Sequence, residues 1–320
     1  MKQTLDNQRG MALLLVLVIV ALLSALLTEL AFSTLVDLRL AETFRDSTRA
    51  AYLAKGGVRV GQIILEEDNR SSIYSKYDHP SELWSMGVIN YPVGDGTVSV
   101  TITDLEGRIN INRLVRTTEL NTDQADDVVK KRLLQLLIDL DISNPEELTA
   151  AIIDWVDIGN GPYDGFLNIG VTGAEEDYYM NLKTPYHCKN APLDSIEELS
   201  LIRGFTPETI KKIKDHVTVY GGEKLNINTA TLQVLHAWYS YHDTSLDMSL
   251  AEKIIAAREK EPITNAMVIG DGELPINWQQ DFDFKSNTFL IEARGEVNSG
   301  KRRVDAVVRK SGKLLYLKVN

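Results

Sequence analysis

Arg9-Gly10-Met11-Ala12-Leu13-Leu14-Leu15-Val16-Leu17-Val18-Ile19-Val20 opens a run from Met11 to Thr28 that carries no charge, and this run sets the reading of the whole chain. Eighteen residues at helical rise make ~27 Å, enough to cross the hydrocarbon core of a bilayer. A polar leader with Lys2, Asp6 and Arg9 ends at Gly10, directly before the run. A secretory signal peptide orders its parts differently, with the cleavage site after a shorter apolar core. Here the natural cut falls between Gly10 and Met11, so the apolar helix stays in the mature protein. A plain signal anchor is the alternative.

The chain has 320 residues, 44% of them hydrophobic, which is enough for a folded region of one or two domains beyond the anchor. Its formal charge is -11, and loss of Lys2, Arg9 and Asp6 with the leader leaves -12. That balance argues against nucleic acid as the main partner, because phosphate binding needs a basic face. Lys2 and Arg9 precede the span and the first charge after it is Glu29. The positive-inside rule then places the N-terminus in the cytoplasm and the other ~290 residues outside it, beyond a single span. A single cysteine, Cys188, allows no intrachain disulfide.

The helix is predicted to continue past the membrane. Between Glu29 and Asp68 there is no proline, and Leu35, Leu38, Phe44, Tyr52, Val60, Ile64 and Leu65 recur at roughly helical spacing. Gly56, Gly57 and Gly61 mark either a bend or a close contact with a sheet. Gly94-Asp95-Gly96 then leads into Thr97 to Thr103, a strict alternation that reads as a half-buried strand. From about Thr118 to Trp278 the pattern is helical, with segments at Asp123–Leu140, Pro145–Val156, Ser195–Ile202, Pro207–His216, Thr229–Tyr239 and Ser249–Glu259. Strands return at Thr288–Val297, Val304–Val308 and Leu314–Val319. The order predicts an α+β fold, a long N-terminal helix packed on an antiparallel sheet with a large all-α domain inserted between strands. The expected segments are 1–10 (leader), 11–33 (membrane part of the helix), 34–117 (rest of the helix and first strands), 118–280 (insertion) and 281–320 (closing strands).

Two constellations inside the insertion carry chemistry. Glu198 to Pro207 reads as helix, glycine-centred hairpin and helix, and Leu225 to Ala230 opens a second such unit. Both are similar to helix-hairpin-helix and sterile-alpha-motif-like folds. In a DNA-binding hairpin the turn amides face phosphate, and Lys211, Lys212 and Lys214 lie near enough to help; here they read more simply as a solvated face. The other constellation is acidic: Asp154 and Asp157 end one helix, and Glu175, Glu176 and Asp177 follow a loop rich in glycine and asparagine. Hard oxygen ligands gathered by such a loop suit a structural calcium, since five carboxylates around one loop repel one another without a cation. Zinc is disfavoured, because His187 and Cys188 are adjacent and lack further soft partners. The sequence holds no nucleophile elbow, Walker loop or dinucleotide fingerprint, so an enzyme is not expected.

The leader and anchor resemble the type III signal of type IV pilins and pseudopilins. Taken with Asp104-Leu105-Glu106-Gly107-Arg108-Ile109-Asn110, Ile153-Asp154-Trp155-Val156-Asp157, Gly173 to Tyr179, Pro185-Tyr186, Asn190-Ala191-Pro192-Leu193 and Leu225 to Ala230, they resemble the large minor pseudopilin of type II protein secretion, the general secretion pathway protein K family. The loop from Ile158 to Thr172 is longer and richer in glycine than the usual family pattern. The resemblance implies a pilin-like long helix on its sheet, cleavage after Gly10 by the prepilin peptidase and methylation of the Met11 amine. It further implies work with the inner-membrane secretion platform, and assembly with other minor pseudopilins at the tip of a periplasmic pseudopilus. Most pseudopilins carry glutamate at the fifth mature position, to neutralise the amine of the subunit above; here that position is Leu15. A tip subunit has no subunit above it, and a partnerless carboxylate in apolar surroundings is costly. Two alternatives belong to other classes: a DNA-uptake pseudopilin binding duplex through its hairpins, and a metal-dependent hydrolase built on Asp154 and Asp157.

Overall fold

In the computed structural model, residues 8–70, 76–117, 123–159, 161–241, 248–264 and 280–320 are described. The leader residues 1–7 and parts of the expected insertion (118–122, 265–279) lie outside them. In chain order the elements are α1 (Gln8–Arg70), α2 (Leu83–Met86), β1 (Val88–Val93), β2 (Gly96–Asp104), β3 (Ile109–Asn110), β4 (Val115–Thr117), β5 (Asp123–Ala125), α3 (Asp127–Asp139), α4 (Pro145–Val156), α5 (Glu176–Met180), α6 (Pro207–Ile213), β6 (Val217–Thr218), β7 (Leu225–Asn226), α7 (Leu232–Tyr239), α8 (Ser249–Lys260), β8 (Phe282–Asp283), β9 (Thr288–Val297), β10 (Gly300–Arg309) and β11 (Leu314–Val319).

α1 is one helix of 63 residues, ~95 Å at helical rise. Its apolar first half is exposed on every side, from Met11 through Leu40. The second half lies on a five-stranded antiparallel sheet of order β1-β2-β9-β10-β11. Ala54, Val58 and Leu65 share one core with Val100, Ile102, Ile291, Ala293, Val304 and Ala306, and Ala50 is fully buried as well. Of the four glycines in α1, Gly57 and Gly61 mark a close contact. A Cβ on Gly57 would stand 2.8 Å from the Val98 side chain, and one on Gly61 2.8 Å from Ile291. Gly56 faces open space. The same narrow gap is kept from the sheet side, where a Cβ on Gly295 would collide with the Ala50 carbonyl oxygen.

β2 and β9 are direct neighbours, paired from Gly96↔Val297 to Asp104↔Phe289. The chain leaves the sheet after Asp104 and returns at Thr288, and the Leu105 amide donates to the Thr288 carbonyl at 3.1 Å. The described residues between form a second unit, the head, with its own core of Leu133, Leu136, Ile152, Trp155, Tyr179, Leu199, Ile213, Ile227, Leu235 and Tyr239. The α+β architecture, with an all-α-rich unit inserted between strands, matches the pattern read from the sequence.

The borders of the head differ from the expected 118–280. Ile109, Ile111 and Leu114 are buried in the head's core, and β3 pairs in parallel with β6 rather than joining the large sheet. At the far end β8 pairs in parallel with β7. Several helices are shorter than their periodicity predicts, for reasons visible in their caps. α3 begins at Asp127 because the Asp126 carboxylate accepts the Val128 and Val129 amides, while Asp123–Ala125 pairs with β4. α7 begins at Leu232 with Thr231 as its cap; Asn228 and Thr229, expected to open it, are committed elsewhere. Ile196–Leu201 winds as a 3-10 helix. Thr206 and Pro207 start α6 as expected, with the Thr206 hydroxyl accepting the Thr209 amide.

Candidate functional site

α4 ends by delivering two carboxylates to the start of the glycine-rich loop. Asp154 is fully buried, and its Oδ1 accepts the Tyr163 amide at 2.8 Å. Its Oδ2 is buried without a hydrogen-bond partner. A Cβ on Gly173 would occupy the space of that oxygen, so the loop's return past Gly173 is what leaves room for it. Asp157 follows at the C-cap, with Oδ1 accepting the Gly159 amide at 3.1 Å. Glu175, at the N-cap of α5, is 5% exposed, and neither of its oxygens has a partner.

Three acids thus share a poorly solvated corner, and their titration reflects it. Burial, reinforced by Asp157, pushes Asp154 up to about 7. Burial, with Asp154 and Asp157 adding, pushes Glu175 up to about 7. Burial, with Asp123 adding, raises Asp157 to about 6. Asp123 is an acid the sequence reading did not include. It reaches the corner from β5, and its Oδ2 accepts the Ile158 amide at 2.9 Å. Buried carboxylates with no donor are strongly disfavoured, and either a proton or a cation relieves them.

The other two expected ligands point elsewhere. Glu176 turns to His187 Nδ1 at 2.6 Å and to the Cys188 amide at 2.8 Å, a clasp that holds its carboxyl below the usual range. Asp177 is exposed in the first turn of α5, on the rim of a cavity of about 300 Å³ lined by Pro162, Gly173, Ala174, Glu175, Glu176 and Tyr178 as well. The donor set is all oxygen, the type a hard cation takes, but among the described residues Asp154, Asp157, Glu175 and Asp177 do not bring three ligand atoms within 4.8 Å of one another. It does not fit zinc: burial pushes the Cys188 thiol up to about 12, and its Sγ lies against the Asp154 carbonyl.

The tightest carboxylate group among the described residues lies elsewhere. One oxygen from each of Asp68, Asp78 and Glu82 falls within 4.8 Å of the others, at the junction between α1 and the head. Lys310 Nζ sits among them, 2.6 Å from Asp68 and 2.5 Å from Asp78. The adjoining polar seam is built from two of the sequence motifs. Asp104 Oδ2 receives hydrogen bonds from Asn226 Nδ2 (3.0 Å), Thr229 Oγ1 (2.5 Å) and Ser286 Oγ (2.7 Å), and the Asn226 amide donates to the Glu106 carbonyl. Asp104–Asn110 and Leu225–Ala230 are therefore two sides of one joint. Asn228 makes a pair of bonds with the Ile263 backbone, at 2.9 Å each. Of the hairpin lysines, Lys212 reaches the carbonyls of Leu140 and Asp141 behind α3, and Lys211 and Lys214 are exposed. At the other end of the molecule Gly10, Met11 and Leu15 stand free on the exposed first turns of α1.

Comparison with known proteins agrees with this arrangement. Residues 107–222 and 225–268 match two family models, both described as type II secretion system protein K. Type II secretion system protein K of Klebsiella pneumoniae is 29% identical over 232 residues, 71% of this chain and 67% of that protein. The Pectobacterium carotovorum protein of the same name is 25% identical over 321 residues, 96% of this chain and 94% of its own. A chain from the crystal structure of the GspK-GspI-GspJ complex of the enterotoxigenic Escherichia coli type 2 secretion system superposes with a TM-score of 0.67. That match covers 88% of this chain and 99% of the other at 17% identity, a likeness of fold.

Proposed function

The chain belongs to the type II secretion system protein K family, and from that footing we propose that it is a minor pseudopilin capping the tip of a periplasmic pseudopilus. The reading is carried by the inserted head. It leaves the sheet between adjacent strands, after Asp104, and spans the residues up to Thr288. A unit of that size beside the filament helix would obstruct stacking in a shaft and is tolerated at an end. Leu15 supports the same placement, because a terminal subunit has no amine above it to neutralise.

In this reading the prepilin peptidase cuts after Gly10, Met11 becomes the methylated N-terminus, and the Met11–Thr28 segment holds the protein in the inner membrane until assembly. The N-terminus is cytoplasmic and the head periplasmic. Other minor pseudopilins join it in the tip complex, as GspI and GspJ accompany GspK in the related crystal structure, and the inner-membrane platform drives assembly. The role is structural rather than enzymatic. A calcium ion held by Asp154, Glu175, Asp157 and Asp177, with Glu176 clasping the adjoining strand through His187, would supply the charge that the head's buried acids lack.

The test is the N-terminal mass of the protein recovered from membranes with and without the peptidase. A start at Met11 bearing one methyl group, lost without the enzyme, is expected. An intact Met1 or a cut beyond Thr28 would overturn the pseudopilin reading. Salt-sensitive duplex binding by the processed protein would instead redirect it to DNA uptake.

A further inference from the structure

We infer that Glu82 carries a proton at the junction of α1 with the head, beside Asp68 and Asp78, and that this proton makes the junction a latch, closed in mild acid and weakened as the proton leaves. Three elements meet there. α1 brings Asp68 in its last turn, the connection to α2 brings Asp78 and Glu82, and Lys310 follows the end of β10. Three carboxylates face one ammonium, so full ionisation would leave two uncompensated negative charges in a site where Asp78 is 0% and Glu82 3% exposed.

The hydrogen bonds show where the imbalance falls. Asp78 is well served: Oδ1 by Lys310 Nζ and Oδ2 by the Ser286 amide at 2.8 Å. Glu82 Oε2 accepts the His79 amide at 2.9 Å and Trp84 Nε1 at 2.8 Å. Its other oxygen, Oε1, is buried with no partner, and so is Asp68 Oδ2, which has Lys310 beside it as an ion pair but accepts no hydrogen bond. A buried carboxylate oxygen with no partner, beside one served by a single ion pair, is what a missing proton leaves. Placed on Glu82 Oε1, it removes one of the two excess charges.

A divalent ion is the rival occupant, and Lys310 disfavours it. Its ammonium already stands 2.5–2.6 Å from two of the three carboxylates, in the position an ion would need. No other nearby cation supplies the balance. His79 is held below its ordinary value by burial, and its Nε2 pairs with the Arg258 carbonyl. The Arg258 guanidinium of α8 is turned to the carbonyls of Ile227 and Ala230. Asp104, across Asn226, adds negative charge. Burial accordingly lifts Glu82 to about 7 and Asp78 to about 6.

The site sits on the strap that ties frame to head. The Asp78 amide donates to the Phe284 carbonyl at 2.7 Å, Asn226 donates to the Asp78 carbonyl at 3.1 Å, and His79 reaches α8. A carboxyl raised in the folded state stabilises it fully below its unfolded value near 4.5 and loses that effect as the pH climbs through about 7.

The experiment follows thermal unfolding of the full-length protein in detergent from pH 5 to pH 8, in calcium and in chelator, for the wild type and Glu82→Gln. Glutamine keeps an acceptor for His79 and Trp84 and stays neutral at every pH. The variant is expected to melt a few degrees above the wild type at pH 8, with the difference closing at pH 5 and independent of calcium. In the infrared spectrum at pH 6, a carbonyl band of protonated carboxyl should be present in the wild type and reduced in Glu82→Gln. The proposal is overturned if the variant melts at or below the wild type at pH 8, fails to fold, or shows the band at full wild-type intensity. It is equally overturned if added Ca²⁺ or Mg²⁺ raises the wild-type melting temperature through a response that Glu82→Gln removes.

Discussion

The frame of α1 and the sheet, and the head set between β2 and β9, solve the problem of burial in opposite ways. The frame buries small and β-branched residues, brings backbone close to backbone through glycine, and keeps most of its charges exposed or paired across strands, as in Arg303 with Glu292 and Lys301 with Glu296. The head buries large aliphatic and aromatic residues but also Asp154, with one oxygen unsatisfied, and Glu175, with neither oxygen satisfied. A frame of that kind is complete in itself. A head of that kind needs a proton or a cation at its buried acids.

The sharpest way to break the frame is at Gly295. A side chain there must displace the Ala50 carbonyl, which is backbone and cannot turn aside. Gly295→Val should destabilise the protein by about 3 kcal/mol or more, as overpacking against rigid neighbours does. Loss of the folded protein from membranes, or a large fall in melting temperature, is the readout. A melting temperature close to wild type would mean that helix and sheet are not held at this distance in solution.

The head should break by another route. Removing calcium with a chelator is expected to lower the melting temperature, by an amount equivalent to about 2.7 kcal/mol if the ion is present at a hundred times its dissociation constant. Asp154→Asn combined with Glu175→Gln should abolish that response, because those two side chains hold the orphan oxygens. Asp177→Ala, at the exposed rim, should reduce it. An unchanged melting curve in chelator would remove calcium from the account while leaving the secretion role standing.

The difference between frame and head is also a difference in what the sequence makes legible. The frame is local and periodic: Thr97 to Thr103 alternates, Thr288–Val297 and Leu314–Val319 are bounded by turn residues, and the helix shows its face for tens of residues. Such patterns translate directly into elements. The acids at Asp154, Asp157 and Glu175 were also visible, since they flank one loop. Asp123, which reaches the same corner from β5, was not, because nothing in its neighbourhood distinguishes it from a helix start. Nor was the junction of Asp68, Asp78 and Glu82 with Lys310, which lies more than two hundred residues beyond the three acids and meets them only because the C-terminal strands return to the sheet beneath α1. The head's early border at Ile109 was hidden for a similar reason: Ile-Asn-Ile-Asn alternates like a strand of the large sheet, and only its pairing with β6 assigns it to the head.

Acidity should separate the regions more gently. In chelator, Asp154 and Glu175 are raised to about 7 and Asp157 to about 6, so the folded head binds protons that the unfolded chain has released by then. Its stability is full below about pH 4 and declines as the pH rises through 6 and 7. Calcium should reverse the trend, because the ion competes with those protons and binds better as they leave. Melting temperatures at pH 5.5 and 7.5, with and without calcium, give the four points needed. If the metal-free protein is the more stable at pH 7.5, the three acids are not held in the environment described.

The smallest effect returns to the frame and is the most specific. Gly56 and Gly57 are neighbours in one helix with the same intrinsic cost of about 1 kcal/mol relative to alanine. Around Gly56 there is open space, whereas a Cβ on Gly57 meets Val98 at 2.8 Å and Ala293 at 3.0 Å. Gly56→Ala should therefore stabilise by about 0.5–1 kcal/mol. In Gly57→Ala the same helical gain is opposed by the displacement of two core side chains, and the variant should fall below wild type. Were both substitutions to stabilise, the gap between helix and sheet would be wide enough for a methyl group, and the glycines of α1 would be there for flexibility rather than fit. Opposite signs at adjacent positions fit only a helix held against the sheet on one face, the rigid frame from which the head is hung.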